Sequence, residues 1–184
     1  AGNAPQDAFE AALRWRDLGG GEAAEHCIAA VLMGLGQYRE AAGRLEKLAK
    51  RSKRKADVKA GLLAHAGQAW ILAGQSFRAE AVLTAALKLT PDDSALMIDR
   101  AQARAGTRYY AGAVEDLSRV TGQEDRPADA FVFRASAYRL LDKLELALAD
   151  VERALALQPG HPDGLLERGS LRRLRQDDDG ARLD

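Results

Sequence analysis

Residues 60–93 read AGLLAHAGQAWILAGQSFRAEAVLTAALKLTPDD, and this stretch decides the fold. Apolar residues recur every three to four positions on both sides of Gly74, and Thr90-Pro91-Asp92-Asp93 closes the string. That pattern predicts two amphipathic helices of about 13 residues each, joined by a tight turn and stopped by a proline. Related strings flank it: Gly36, Tyr38 and Ala41 before it, then Tyr110 to Ala113, Leu144 to Ala147 and Asp178 to Ala181. Ala79, Ala113, Ala147 and Ala181 stand 34 residues apart, whereas Ala41 precedes Ala79 by 38, which implies a four-residue insertion.

Repeats therefore start at Glu22, Ala60, Ser94, Ala128 and Pro162 and cover 22–55, 60–93, 94–127, 128–161 and a truncated 162–184. Their eighth column is small throughout (Ala29, Gly67, Ala101, Ala135, Gly169) and their twentieth is alanine throughout. Two helices crossing closely need small residues where their backbones approach. Large apolar residues fill the space around that crossing: Leu63, Met97, Phe131 and Leu165 in the fourth column, with Glu25 the exception, and Leu45, Leu83, Leu117 and Val151 in the twenty-fourth. Gly74 and Gly106 fall at turns between paired helices, and Gln158-Pro159-Gly160-His161-Pro162 ends repeat four.

The period, the small eighth residue, the alanine at the twentieth and the proline near the end resemble the tetratricopeptide repeat (TPR), over roughly Glu22 to Asp184. Repeat three departs from the pattern, with Arg104 where an aromatic is usual and Asp125 in place of the closing proline. The resemblance implies an all-α, right-handed superhelical solenoid of helix-turn-helix units whose first helices line a concave groove. A pentatricopeptide reading, which would mean RNA, fits the spacing less well and expects base-reading polar columns that are missing here. Ahead of the array, Pro5 to Leu18 reads as one more helix, with Phe9, Ala12 and Leu13 on one face, ended by Gly19-Gly20-Gly21. Residues 1–21 are expected to cap the open side of repeat one; the alternative is a helix folded into the groove.

Composition agrees with helix. Alanine, leucine, arginine and glycine dominate, and aromatic residues are only 5%, which gives a sheet little to pack. The formal charge is zero, so no global field draws the chain to nucleic acid or an anionic membrane. No apolar run reaches the length of a membrane span. The chain opens Ala1-Gly2-Asn3-Ala4, as expected after signal-peptide cleavage or excision from a longer protein. A cleaved signal peptide would place it in the periplasm; otherwise the cytoplasm is expected. Ala181 to Asp184 stops inside a helical pattern, as a trimmed chain would.

No catalytic constellation emerges, and no cofactor is expected. His26 and adjacent Cys27 lack the contact and third orienting group of a Cys–His pair, so Cys27, the single cysteine, reads as a packed small hydrophobe. His65 and His161 have no ligand partner at helical spacing. Gly19 to Gly21 lacks the Lys-Ser/Thr of a phosphate loop. Asp177-Asp178-Asp179 lacks the alternating ligands of a calcium loop and reads as a helix cap.

Three charged or polar sets remain. Lys47, Lys50, Arg51, Lys53, Arg54, Lys55 and Lys59 include five of the seven lysines and bracket the insertion. They read as a solvated helix end or as a patch for an acidic protein, lipid heads or nucleic acid, without aromatic residues for base stacking. Arg100, Arg134 and Arg168 occupy the seventh column of repeats three to five, and Asp116, Asp150 and Asp184 the twenty-third. Repeats one and two instead hold Ile28 with Arg44, and Ala66 with Val82. Joint presence and joint absence predict a structural arginine–carboxylate bridge between the two helices of a pair.

Columns two, five, nine and twelve are expected to line the groove. They supply Gly61, Ala64, Gln68 and Ile71; Ala95, Ile98, Gln102 and Ala105; Asp129, Val132, Ser136 and Arg139; Arg173 follows in repeat five. Chaperone-binding members of the resembled family carry a lysine and asparagine clamp in columns five and nine. Here those columns hold His26, Ala30, Ala64, Gln68, Ile98 and Gln102, so a co-chaperone role is not expected. The reading is a scaffold or adaptor that holds a peptide or protein segment, with assembly of a bacterial envelope complex as its setting. The alternative is an anionic-surface binder using residues 47–59. Nucleic acid and membranes are not expected partners beyond peripheral contact, whereas self-association through the open last repeat is.

Overall fold

The computed structural model describes residues 4–124, 127–177 and 180, and every regular element among them is helical. The chain divides into two compact units at the Gly106–Thr107 junction, inside repeat three. The first holds α1 (Ala4–Trp15), α2 (Gly21–Gly34), α3 (Tyr38–Arg51), α4 (Ala56–Leu72), α5 (Ser76–Leu89) and α6 (Ser94–Gly106). The second holds α7 (Tyr110–Thr121), α8 (Ala128–Leu140), α9 (Leu144–Leu157) and α10 (Pro162–Leu174). Each helix of a unit packs on its neighbours in sequence, and α4 also meets α6 as α8 meets α10.

The small columns lie where the period predicts. Ala41, Ala79, Ala113 and Ala147 are buried, as are Leu45, Leu83, Leu117 and Val151; Ala181 lies outside the described residues. A Cβ at Gly67 would sit 2.5 Å from Leu83 Cγ, so the eighth and twenty-fourth columns meet directly. In the second unit Ala135, Ala147, Val151, Leu155 and Leu171 form the core shared by α8, α9 and α10.

The turns inside the pairs repeat one backbone feature. Gly36, Gly74, Arg108, Asp142 and Gln176 all have positive φ, between 59° and 73°. Gly106 is not the left-handed residue of its turn. It is glycine because an added Cβ would strike Ser76 of α5. Between pairs, Asp93 accepts from the Leu96 amide (3.1 Å) and starts α6, while His161 accepts from the Gly164 amide (3.3 Å) beside Pro162 and starts α10.

At the N-terminus α1 stops at Trp15, and a π-helical turn (Arg16–Gly20) runs into α2. The kink is at Gly19, with φ of 93°, so the glycine run bends a continuous helical path instead of forming a loop. α1 packs on α2, and Ala12 is buried.

The four extra residues are helical. α4 has 17 residues against 13 in α6, α8 and α10, so the insertion extends a helix by one N-terminal turn. Lys55 in extended conformation precedes that turn, and the buried Ser52 hydroxyl donates to Glu22 (2.9 Å), anchoring the connection to α2.

Candidate functional site

On the first unit, α2, α4 and α6 are joined by polar contacts on one face. His26 of α2 and His65 of α4 approach within 3.1 Å, Nε2 to Nδ1, with their rings 13° from parallel. Gln68 of α4 donates to Asp99 of α6 at 3.0 Å. Beside the histidines opens a cavity of about 270 Å³ lined by Ala30, Met33, Leu45 and Gln68 together with both imidazoles. Burial, and secondarily the charge His26 would carry, lowers the His65 pKa and favours the neutral ring. Burial raises the Asp99 pKa, the Gln68 hydrogen bond lowers it, and nearby Asp93 raises it. The cavity is apolar at its floor, with imidazole and amide groups at its rim.

Of the expected groove residues in this unit, Gln68 is exposed and Ala64, Ile71, Ile98 and Gln102 are half-buried. In the second unit Ser136 is half-buried and Arg173 exposed. Val132 does not line a groove: it is 3% exposed and packs with Phe131 and Ala154. Arg139 is not a free cation either, because it donates to Glu167 of α10 at 2.6 Å. Asp129 of the same column set accepts from Nε2 of buried His161 at 2.8 Å, since Nδ1 of that ring accepts from the Gly164 amide.

The seventh and twenty-third columns meet in repeat four. Arg134 Nε lies 2.6 Å from Asp150 Oδ2 and Nη2 lies 2.7 Å from Oδ1, a bidentate fork between α8 and α9. Nη1 reaches Thr121 Oγ1 (2.6 Å) and Ser118 Oγ (3.2 Å) of α7. The hydrogen bonds that Arg134 donates to Asp150 chiefly raise its pKa against the opposing effect of burial. Arg100 reaches Thr84 Oγ1 at 3.4 Å, Asp116 is buried, and Arg168 is half-buried. Asp184 lies outside the described residues, as do Asp178 and Asp179 of the acidic run and Asp125.

In repeats one and two the bridge gives way to apolar packing by buried Ile28, Ala66 and Val82. Arg44 turns to Glu40 (2.9 Å) and Glu25 (3.7 Å). Arg104, in the column that usually holds an aromatic, pairs with Glu80 at 3.0 Å. Trp70 in that column donates its indole N–H to Glu46 at 2.5 Å.

The basic cluster splits by residue type. Arg51 turns back to Glu25 (3.3 Å) and Arg54 to Glu22 (3.8 Å), both on α2. Lys47, Lys50, Lys53 and Lys55 are exposed and Lys59 half-buried, with no ion partner among the described residues. Cys27 is exposed, not packed, because α2 buries Ala24, Ile28, Ala29 and Leu32 and position 27 lies off that stripe. Among the described residues no group of three or more His, Cys, Asp and Glu could hold a metal ion, and no helix is long and apolar enough to cross a membrane.

Sequence reasoning missed the His26–His65 contact and the Arg139–Glu167 and Arg104–Glu80 pairs. Each joins neighbouring repeats and occurs once, so no column repeats its signature. No protein-family model and no curated protein matches the chain. Solved structures do. MamA (residues 41 to the end) from Desulfovibrio magneticus RS-1 is similar at 21% identity and a TM-score of 0.75, over 88% of this chain and 89% of that one. YrrB, described as a TPR protein with an unusual peptide-binding site, is similar at 22% identity and 0.72, over 89% and 82%. The second TPR domain of human RPAP3, in complex with the HSP70 peptide SGPTIEEVD, is similar at 25% identity and 0.55, over 58% and 88%. The chain has the tetratricopeptide-repeat fold.

Proposed function

We infer that this chain is a protein-interaction scaffold, not an enzyme, and that it holds a peptide or partner segment on the face of α2, α4 and α6. The observation that carries this reading is the cavity of about 270 Å³ between α2 and α4, apolar inside and rimmed by His26, His65 and Gln68. Such a cavity takes one apolar side chain of a bound segment, while imidazole and amide groups at the rim meet its backbone. Ala64, Ile71, Ile98 and Gln102 are the further candidate contacts on this unit; Ser136 and Arg173 are candidates on the second unit, taken by itself. Structures of this fold that bind peptides, YrrB and the RPAP3 domain, support the class of ligand. The ligand itself differs from a carboxylate-terminated chaperone tail, because His26, Ala64 and Ile98 stand where the lysine clamp of such binders would be. A bacterial envelope complex is the finer part of the proposal.

The test is capture of partners by the intact chain and two variants. Ile71→Glu places a charge on the apolar face, and Gln102→Ala removes an amide. Both are expected to lose the captured protein with melting temperatures nearly unchanged. Normal capture by both, with loss on charge reversal of Lys53 and Lys55, would transfer the function to the basic cluster.

A further inference from the structure

The helical turn added by the insertion builds a second surface. It brings Lys59 to the edge of a slot between α3, α4 and α5, opposite Lys47 and Lys50 of α3. The slot is about 500 Å³, and its floor is apolar, with Leu63 of α4 and Val82, Ala85 and Leu89 of α5. Glu46 also borders it, but its carboxylate is engaged by the Trp70 indole N–H at 2.5 Å. Three ammonium groups against one carboxylate leave the rim cationic. None of the three lysines has an ion partner among the described residues, unlike Arg51 and Arg54 nearby.

We propose that this slot docks an amphipathic helix of a partner protein whose apolar stripe is flanked by aspartate and glutamate. A helix is about 10 Å across, and its ridges seat in the groove between two others. Apolar residues at i, i+3, i+4 and i+7 would meet Leu63, Val82, Ala85 and Leu89, and carboxylates beside them would reach Lys47, Lys50 and Lys59. An open slot covers too little of a small molecule to hold it. A bilayer surface is flat and would leave the recessed floor uncovered. The lining holds no aromatic side chain on which a base could stack. Charge complementarity thus selects an acidic helix, and the apolar floor separates it from a merely acidic loop. The surface is distinct from the α2–α4–α6 face, so one chain would hold two partners.

The probe is a fluorescein-labelled amphipathic peptide of about five helical turns, with a leucine stripe flanked by glutamates. Anisotropy follows its binding to the full 184-residue chain. Binding is expected, weakening at least about tenfold when Lys47, Lys50 and Lys59 are all changed to Glu, and weakening steeply with salt. Ala85→Glu, a surface change in the floor, is expected to cost a similar factor and serves if the triple variant misfolds. Ile71→Glu should leave this binding intact, so failure of the other face is read separately. The proposal is overturned if the chain ignores the acidic peptide or binds a lysine-flanked version equally. It is also overturned if both slot variants bind normally. Sedimentation with vesicles containing phosphatidylserine, lost in the lysine variant while the peptide is ignored, would assign the patch to a membrane surface instead.

Discussion

Replacing Arg134 by methionine, Asp150 by leucine, and both together measures what the bridge of repeat four contributes. The side chains are 17% and 7% exposed, so neither charge is well hydrated once its partner is gone. Asp150→Leu leaves a guanidinium that keeps Thr121, Ser118 and the rings of Phe131 and Tyr138, 5.7 and 5.8 Å away. Arg134→Met leaves a carboxylate with nothing in place of the fork. Breaking a buried pair costs about 3–5 kcal/mol, and partial exposure brings each single loss to about 2–4 kcal/mol. The double variant puts two apolar side chains of similar volume together and is expected to lose only about 1–2 kcal/mol. The coupling is then about 3–6 kcal/mol, and each single variant melts roughly 5–15 °C lower at about 2–4 °C per kcal/mol. Urea denaturation followed by circular dichroism gives the cycle, and hydrogen exchange of α8 and α9 amides reports repeat four itself. A coupling under about 0.5 kcal/mol, the size for exposed pairs, would refute the structural role and return Arg134 to the ligand-binding candidates.

Gly67→Ala should destabilise by about 1–3 kcal/mol in denaturant melts despite alanine's better helix propensity, because the new methyl group meets Leu83. A neutral or stabilising result would mean that Leu83 moves aside without loss. Asp142→Gly should gain about 0.5–1 kcal/mol, since Asp142 holds a φ of 59° that glycine adopts without strain; a loss would mean that the aspartate makes a turn contact outweighing it. Acidification through pH 6.5, the ordinary value of His65, should lower stability. A depressed folded pKa means that the unfolded chain binds more protons there, so stability rises with pH in that window and falls below it. Asp99, with a raised pKa, has the opposite sign at carboxylate pH and does not oppose the loss near neutrality. His65→Gln should flatten the melting temperature between about pH 7.5 and pH 6, and an unchanged slope would remove His65 as its source.

The sequence period located most of the fold because it registers backbone crossings, and crossings demand small residues in phase. Gly67 against Leu83 and the buried run of twentieth-column alanines show the cause. The same period also locates each left-handed turn residue, yet residue type betrays only Gly36 and Gly74. Arg108, Asp142 and Gln176 occupy that conformation too, where packing of the two flanking helices overrides side-chain preference. Gly106, the last residue of α6, stands at its turn as expected, but it is glycine for close approach to Ser76, not for φ. The insertion was visible as a length, but a length does not say whether it forms loop or helix. Ala56 to Lys59 continue the helical register of α4, so the chain added a turn.

Charged groups divide by whether their geometry recurs. Arg134 and Asp150 lie in columns that repeat, so their pairing is legible in the sequence alone. Arg139 with Glu167, and His26 with His65, join neighbouring repeats through positions used once, and nothing in a single sequence distinguishes them from chance. The basic cluster shows the remaining difficulty. Charge counting treats its seven cations alike, but two arginines spend theirs on glutamates of α2. A planar guanidinium reaches back to a carboxylate and forks on it, whereas an ammonium on a flexible stem stays hydrated at the surface. The net charge available to a ligand therefore rests on the lysines. Lys59 counts among those at the slot only because the inserted turn carries it there.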